Sequence, residues 1–430
     1  MSGVALLFIL LIGLMMASVP VGISLGLSTL VTMVLTTNLD VITIPQYCFR
    51  GLDSFPLMAI PFFMLAGNLM KFGGLSEKLI NLSNSLVRGF KGGLGHVTVL
   101  VSMFFAALSG SAPATVMAIG SNVIPQMEKH GYDRGYATAL ASTAGTIGVI
   151  IPPSIPFVIY GVVSGASISD LFVAGIIPGI LIGIVLMVVN YIYARKYGYG
   201  GEGRASFREF LHELKDAIWA LLVPVIILGG IYGGIFTPTE SAVVAVVYTL
   251  IIGFVVYKEL TWKKVWDAFM ETGALNGTTT FMVGLSMSFA AYLTLAGIPS
   301  AVGQAILSLD AGPVVILLLI NVVLLVVGCF VDNISSTIIL TPILLPIAQG
   351  VGMTAVQFGI VMTVNLAIGF ITPPYGVNLF YGSAIGKVSI EELSKKILPF
   401  IGAMIICLLL LTFIEPLSMW LPTLMAAKAG

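Results

Sequence analysis

Four short stretches of this sequence place hydroxyl, amide and carboxylate side chains beside glycine and proline, inside otherwise apolar runs. They are 109–115, 145–156, 328–337 and 369–378. A pair of prolines removes two amide donors and leaves the carbonyls one turn earlier without a helical partner. Free carbonyls and hydroxyls are hard oxygen ligands, and unwound backbone of this kind can coordinate Na⁺. The chemistry these stretches predict is therefore cation binding.

We expect at least two related Na⁺ sites. The first combines Ser109 and Ser111 with Gly148, Ile151 and Pro153, and the second combines Gly328 with Gly369, Thr372 and Tyr375. Most of the ligands would be backbone carbonyls, so side-chain identity says little about them. The alternative is that glycine and proline only allow kinks in packed helices. Four breaks in two matched pairs favour a binding role.

The substrate predicted from the same stretches is an anion, most simply a carboxylate. Half-helices that begin after Gly110 and after Asn333 would aim unpaired N–H groups and positive dipole ends at the centre. The breaks contain no Lys or Arg. An anion would therefore rely on dipoles and bound cations. Further candidate substrate contacts are Thr115, Ser154, Asn333, Ser335, Ser336, Thr337 and Asn378.

Two carboxylates have two possible roles each. Asp332 opposes an anion unless it serves a cation or carries a proton, and it can equally cap the hairpin tip. Glu240, within Thr237–Ser241, has either an ion role or a capping and packing role.

The amino-acid composition of the chain predicts that these stretches lie within a membrane. The chain of 430 residues is 58% hydrophobic and 9% charged, whereas a soluble domain is about 25% charged. A large soluble enzyme is thereby excluded. Nineteen basic residues offset nineteen acidic ones, so nucleic acid is not a predicted partner. The stretch Gly382–Val388 lacks the spacing of a nucleotide-binding loop, so energy should come from an ion gradient and not from ATP.

The apolar runs are long enough for membrane helices and lack the alternation of strands. The predicted fold class is an all-α polytopic membrane protein. We place the runs at 4–36, 54–70, 95–128, 134–165, 177–195, 218–257, 270–296, 313–348, 355–386 and 397–421. The first run breaks at Ser18–Gly22 and the run 218–257 breaks at Phe236–Glu240, so each should form two helices.

An internal repeat organises these runs. A shift of 221 positions carries Pro125 onto Pro346, and the same shift aligns 148–153 with 369–374. Glycine and proline mark backbone shape, so their coincidence indicates duplicated structure. The predicted domains are a first repeat at 1–197 with a re-entrant hairpin at 95–128, an amphipathic cytoplasmic linker at 198–217 with an interfacial helix at 207–214, a second repeat at 218–421 with a re-entrant hairpin at 313–348, and a tail at 422–430.

Basic residues indicate that the second repeat is inverted. Lys71, Lys78, Arg88 and Lys91 lie in one connection whose counterpart, 292–313, has no Lys or Arg. Positive charge marks the cytoplasmic side, so equivalent loops lie on opposite sides of the bilayer. Inverted repeats are the construction of many secondary transporters. The first hairpin should then enter from the cytoplasm and the second from outside.

These motifs resemble those of the large membrane subunit of tripartite ATP-independent periplasmic (TRAP) transporters. Among the members of that family, the sequence as a whole resembles the sialic-acid members most. The matching stretches, which span nearly the whole chain, are Pro61–Asn68, Ser109–Thr115, Thr143–Ser154, Phe236–Glu240 and Thr372–Pro374. Where the family often has Met-Asp at the second hairpin, this chain has Val331-Asp332.

The resemblance implies a multi-pass protein of the bacterial inner (cytoplasmic) membrane. It implies two partners, a small membrane subunit and a periplasmic substrate-binding protein. It also implies Na⁺-coupled symport of an organic acid such as a C4-dicarboxylate, a keto acid or sialic acid. The mechanism implied is an elevator, with a moving part at about 95–165 and 313–386.

Three other functions remain open at this point. One is a Na⁺/carboxylate symporter that needs no binding protein, and another is a passive channel. The third, an intramembrane enzyme, has little support because no Ser/His/Asp set or metal dyad lies at matched depth. No enzyme activity is expected.

Overall fold

The computed structural model describes residues 3–37, 40–201, 203, 205–307 and 312–429, and its regular elements are helices. The first ten helices are α1 Gly3–Met16, α2 Val21–Thr36, α3 Thr43–Leu52, α4 Ala59–Phe72, α5 Leu75–Val87, α6 Gly93–Ser109, α7 Ala112–Lys129, α8 Arg134–Gly145, α9 Ile155–Ser164 and α10 Ile168–Tyr197. The next ten are α11 Phe207–Tyr232, α12 Pro238–Ile251, α13 Trp262–Leu295, α14 Ile298–Leu307, α15 Pro313–Phe330, α16 Asn333–Gly350, α17 Ala355–Gly369, α18 Val377–Gly386, α19 Ile390–Phe413 and α20 Pro416–Ala429. Tighter turns at Phe55–Met58 and Thr146–Val149 precede α4 and extend α8, and a wider turn at Ile252–Val256 extends α12.

Eight of the described helical segments are long and apolar enough to cross a bilayer. They are Phe55–Phe72, Ile168–Tyr197, Phe207–Tyr232, Pro238–Val256, Trp262–Leu295, Pro313–Phe330, Asn333–Gly350 and Ile390–Phe413. The chain is therefore an all-α, multi-pass membrane protein.

The duplicated sequence corresponds to duplicated structure. Shifted by 221 positions, Ala112–Lys129 (α7) becomes 333–350, the bounds of α16. The same shift carries α6 onto α15, α8 onto α17 and α9 onto α18, each within a few residues at either end. Both hairpins and both broken helices thus recur as matched pairs.

Equivalent helices in the two copies run in opposite directions. The Nε of Arg134, at the start of α8, donates to the carbonyl of Gly386 at the end of α18 at 2.6 Å. At the opposite ends of the two broken helices, the hydroxyl of Tyr160 in α9 donates to the carbonyl of Ala355 at the start of α17 at 2.6 Å. The broken helix α8–α9 therefore lies antiparallel to the broken helix α17–α18, as inversion requires.

The expected breaks in the two long runs are present. Helix α1 ends at Met16 and α2 begins at Val21, while α11 ends at Tyr232 and α12 begins at Pro238. The short helix α3 was not expected.

Several boundaries differ from the sequence-based expectation. The interfacial helix expected at 207–214 is the first part of α11, because Ser206 caps Phe207–Tyr232 and no helix breaker follows before Pro224. Helix α10 begins at Ile168 and not at 177, because Ser167 accepts a hydrogen bond from the amide of Asp170 as its cap. Residues 422–429, expected in the tail, continue α20.

Two packed groups of helices surround the site. In the first, α8 packs on α7, α18 and α19, and the hydroxyl of Tyr136 donates to Oδ1 of Asn190 on α10 at 2.9 Å. In the second, α13 packs along α2, α3 and α4. The groups meet where α13 lies on α16, and there the hydroxyls of Ser286 and Ser335 are 3.3 Å apart.

Candidate functional site

The first hairpin tip lies between α6 and α7. Gly110 has a φ of 60°, the left-handed conformation that favours glycine, and this reverses the chain within two residues. Ser111 then caps α7 by accepting from the amide of Ala114 at 3.5 Å. The result is a helical hairpin whose two helices, of 17 and 18 residues, are joined at this tip.

Oxygen atoms cluster at this tip. The hydroxyls of Ser109 and Thr115 are 3.1 Å apart, and the Thr115 hydroxyl donates to the carbonyl of Ser111 at 2.8 Å. The Ser109 hydroxyl lies 3.4 Å from the same carbonyl. These are hard ligands of the kind Na⁺ takes.

The first broken helix packs directly against this tip. The amide of Ile155 donates to the carbonyl of Gly110 at 3.4 Å. A Cβ on Gly110 would lie 2.8 Å from the Pro153 carbonyl, and one on Gly148 would lie 2.5 Å from the Ser111 carbonyl. The structure thus brings Ser109, Ser111, Gly148 and Pro153 together. The side chain of the remaining predicted ligand, Ile151, packs against Gly179 of α10.

The second hairpin tip uses a different reversal. Val331 is extended, with φ −117° and ψ 141°, and Asp332 caps α16 by accepting from the amide of Ser335 at 2.9 Å. Its other carboxylate oxygen is buried and has no hydrogen-bond partner among the described residues. The capping alternative therefore accounts for only one of the two oxygens.

The second broken helix meets this tip through glycine. A Cβ on Gly369 would lie 2.3 Å from the carbonyl oxygen of Gly328. The hydroxyl of Thr372 donates to the carbonyl of Ile368 at 2.7 Å. Tyr375 is 61% exposed, and its ring lies 6.0 Å from that of Phe330 at the end of α15. The peptide bonds Pro152–Pro153 and Pro373–Pro374 are both cis.

A cavity of about 260 Å³ lies between both tips and both breaks. Its lining includes the first residues of four half-helices: Pro113 and Ala114 of α7, Ile155 and Pro156 of α9, Asn333 and Ile334 of α16, and Val377 of α18. The opposite wall comes from α4 and α13. The cavity therefore joins the duplicated elements to the second group of helices.

The predicted substrate contacts separate into two groups. Asn333 lines the cavity, together with Ser109, Ser111 and Asp332. The others are buried and hydrogen-bond to the protein, as when Ser154 donates to the Val149 carbonyl at 2.6 Å and Asn378 donates to the Ser142 carbonyl at 3.1 Å. This second group is Thr115, Ser154, Ser335, Ser336, Thr337 and Asn378.

Glu240 lies outside the cavity lining. It forms a capping box with Thr237, whose amide donates to the Glu240 carboxylate at 2.8 Å. This geometry matches the capping alternative and fixes the start of α12.

The polar residues of the opposite wall were not predicted from the sequence. Asn68 and Lys71 on α4 lie beside Glu271 and Thr279 on α13 in this wall. The spacing from Glu271 through Leu275 to Thr279 is one helical face and could have indicated a lined surface. Nothing in the sequence shows that this face meets α4.

The described residues contain no group of three His, Cys, Asp or Glu residues able to hold a metal ion. Cys48 and Cys329 are partly buried and Cys407 is buried, and none of the three forms a disulfide. Cation binding in this protein would depend on backbone carbonyls, hydroxyls and Asp332.

Comparison with known proteins adds a family to this geometry. The profile of the family described as "Tripartite ATP-independent periplasmic transporter, DctM component" matches residues 8–417. The isethionate TRAP transporter permease protein DctMQ of Oleidesulfovibrio alaskensis is 46% identical over 94% of this chain, which spans 64% of that protein's length. The C4-dicarboxylate TRAP transporter large permease protein DctM of Vibrio cholerae is 39% identical over 98% of both chains.

The sialic acid TRAP transporter large permease protein SiaM of Vibrio cholerae is 38% identical over 96% of this chain and 97% of its own. Sequence identity to the sialic-acid relative is no higher than to the isethionate and C4-dicarboxylate relatives, so the expected likeness to sialic-acid members is not singled out.

A solved structure shares the fold. The YdaH transporter of Alcanivorax borkumensis, described as having an unusual topology, superposes with a TM-score of 0.61 at 13% identity. The match covers 92% of this chain and 98% of that one. The family profile covers residues 8–417 and the DctM relative covers nearly the whole chain, so this chain belongs to the DctM component family of tripartite ATP-independent periplasmic transporters.

Proposed function

We propose that this chain is the large membrane subunit of a transporter that takes up an organic anion across the bacterial inner membrane, driven by Na⁺. One observation carries the proposal: four half-helices begin at the wall of one cavity. Helix N-termini present unpaired N–H groups and partial positive charge, so their convergence favours a carboxylate or sulfonate.

The relatives are consistent with this substrate class. Their names give isethionate, C4-dicarboxylates and sialic acid as substrates, and each of these is an anion. The breaks supply dipoles without Lys or Arg. A bound cation would therefore complete the neutralisation of the anion, which gives a physical reason for coupling.

Two Na⁺ sites follow from the two tip-and-break pairs. The first would use the oxygens of Ser109, Ser111 and Pro153, and the second the backbone at Gly328 and Gly369 with the Thr372 hydroxyl. Asp332 is the nearby carboxylate with an oxygen to spare. In this proposal Na⁺ binding assembles each tip against its break before the anion is held.

The movement we propose is an elevator. Helices α6–α9 and α15–α18 would move as one body against α4 and α13. Helices α10 and α19 are attached to that body, since Lys396 on α19 pairs with Asp133 at 3.0 Å and Tyr136 bonds Asn190 on α10.

Two partners complete the proposed transporter, a small membrane subunit and a periplasmic substrate-binding protein. The fused name DctMQ of one relative fits the first partner, because that protein extends beyond the region this chain matches. A symporter that works without a binding protein is the alternative, and the experiment below distinguishes the two.

The test is uptake into proteoliposomes that contain the chain and its small subunit. With the binding protein outside, a Na⁺ gradient should drive accumulation of succinate, isethionate or N-acetylneuraminate, and replacing Na⁺ by K⁺ should abolish it. Ser109→Ala and Thr372→Ala should each raise the Na⁺ concentration for half-maximal uptake. Accumulation that ignores Na⁺ would overturn the coupling, and accumulation without the binding protein would favour the alternative.

A further inference from the structure

The cavity wall carries a charged pair that the proposed Na⁺ and anion sites do not use. The Nζ of Lys71, on α4, lies 3.1 Å from one carboxylate oxygen of Glu271, on α13, and 3.3 Å from the other. Among the described residues that line the cavity, Lys71 is the one cation, and Glu271 and Asp332 are the anions. The pair is neutral as a unit, so it adds no net charge to the cavity.

Both members of this pair are accessible. Their side chains are 39% and 30% exposed. Exposed ion pairs contribute little to stability, because water screens them and two long side chains must be held in place. Helices α4 and α13 are also joined one turn away, where the side-chain amide of Asn68 donates to the Thr272 hydroxyl at 2.9 Å. A fastening role for the pair is therefore weakly supported.

We infer that the pair lies toward the cytoplasmic end of the cavity, because basic residues mark that side of the membrane. Lys71 is in the last turn of α4, which leads into the loop where Gly74 contacts Glu259. That contact places the loop beside the basic segment Lys258–Lys264. The half-helix starts lie at the tips, and they belong to the hairpins and broken helices and not to α4. An anion that leaves the tips toward the cytoplasm would pass Lys71.

We propose that Lys71 is a second anion-binding group, at the cytoplasmic end of the cavity, and that Glu271 is its built-in competitor. A carboxylate or sulfonate that leaves the half-helix starts displaces the Glu271 carboxylate from the ammonium group, and Glu271 takes the ammonium back when the anion departs. This inference rests on the proposed function for the identity of its ligand. It assigns a receiving position for the anion on the static helices.

The competition gives Glu271 a testable role. Neutralising Glu271 leaves the ammonium group without its partner, so anion binding there should strengthen. An exposed ion pair contributes about 0.2–1 kcal/mol, which corresponds to a change in affinity of up to about fivefold. Removing the ammonium should abolish binding at this position.

The experiment measures acylation of individual lysines in the purified full-length chain by mass spectrometry. Sulfo-N-hydroxysuccinimide acetate is the reagent, and succinate, isethionate and N-acetylneuraminate are the anion probes at constant ionic strength. Succinamide is the neutral control. Lys395 is the matched control lysine, because it pairs with Glu391 at 2.9 Å and lies outside the cavity lining.

We expect at least one anion to slow acylation of Lys71 threefold or more without affecting Lys395, and succinamide to have no effect. Glu271→Gln should lower the half-protecting anion concentration about two- to fivefold. Lys71→Gln should slow uptake at least fivefold, Lys71→Arg should restore most of it, and Lys395→Gln should have no effect.

Equal protection of Lys71 and Lys395, no protection by any probe, or no shift in Glu271→Gln would overturn the proposal. Acylation needs neither a Na⁺ gradient nor a binding protein, so its result is separate from that of the uptake experiment. If uptake proves independent of Na⁺ while Lys71 is still protected, only the proposed coupling fails.

Discussion

Asp332 shows how one residue combines a structural and a chemical role. One carboxylate oxygen caps α16 through the amide of Ser335, and the other is buried without a partner among the described residues. An unpaired buried charge is costly unless something compensates it. A bound cation would supply that compensation.

Asp332→Asn separates the two roles. Asparagine caps helices about as well as aspartate, so the free energy of unfolding should change by less than about 1 kcal/mol. The Na⁺ concentration for half-maximal uptake should rise about tenfold or more, because the charged ligand is lost. Asp332→Ala is the comparison that also removes the cap and should lower the unfolding temperature. Normal Na⁺ dependence in Asp332→Asn would leave Asp332 as a cap alone.

At this scale the sequence predicted which residues meet better than which residues face the cavity. Ser109, Ser111, Gly148 and Pro153 lie together, and so do Gly328 and Gly369, because glycine and proline mark both the turn and its close approach. Lys71 and Glu271 were not predicted. Their meeting depends on which faces of α4 and α13 are in contact, and hydropathy does not encode that pairing.

At the scale of elements, the four breaks depend on glycines that allow backbone to touch backbone. Gly148 faces the Ser111 carbonyl, and Gly369 faces the Gly328 carbonyl. The two contacts are equivalent under the shift of 221 positions, since 148 becomes 369. Each broken helix is thereby held against the tip of the hairpin that belongs to its own repeat.

Gly148→Ala and Gly369→Ala should each separate a tip from its break. The added Cβ would fall 2.5 Å and 2.3 Å from a carbonyl oxygen, and overpacking of this kind costs about 1–3 kcal/mol. We expect lower unfolding temperatures and loss of Na⁺-dependent uptake. Gly402→Ala in α19 is the control, because its Cβ meets nothing within 4 Å. Equal unfolding temperatures and equal Na⁺-dependent uptake in all three variants would contradict a functional role for the close approach of these glycines to the carbonyls.

The ends of the elements were harder to predict than their existence. Helix α10 starts nine residues before the expected position of 177, since a capping serine at Ser167 determines its start. The stretch expected as an interfacial helix is continuous with α11, because amphipathicity alone does not end a helix. Hydropathy locates apolar segments, whereas caps and uninterrupted backbone hydrogen bonding set where a helix begins and ends.

In the whole molecule, the equivalent helices of the two repeats run in opposite directions. The broken helices α8–α9 and α17–α18 are antiparallel, and both hairpin tips line a common cavity. The wall opposite the tips belongs to α4 and α13. In the proposed elevator the tips would move past that wall, and the contact between α13 and α16 is where that movement would occur.

The proposed movement is tested most directly by measuring uptake by a variant in which a disulfide can join α13 to α16. The hydroxyls of Ser286 on α13 and Ser335 on α16 are 3.3 Å apart, so Ser286→Cys with Ser335→Cys should form a disulfide on oxidation. The native cysteines, Cys48, Cys329 and Cys407, would first be replaced by serine, and each single-cysteine variant is a control.

We expect oxidation to abolish Na⁺-driven uptake of the double variant alone, and reduction to restore it. Full uptake while mass spectrometry shows the disulfide intact would contradict movement of the hairpin body against α13.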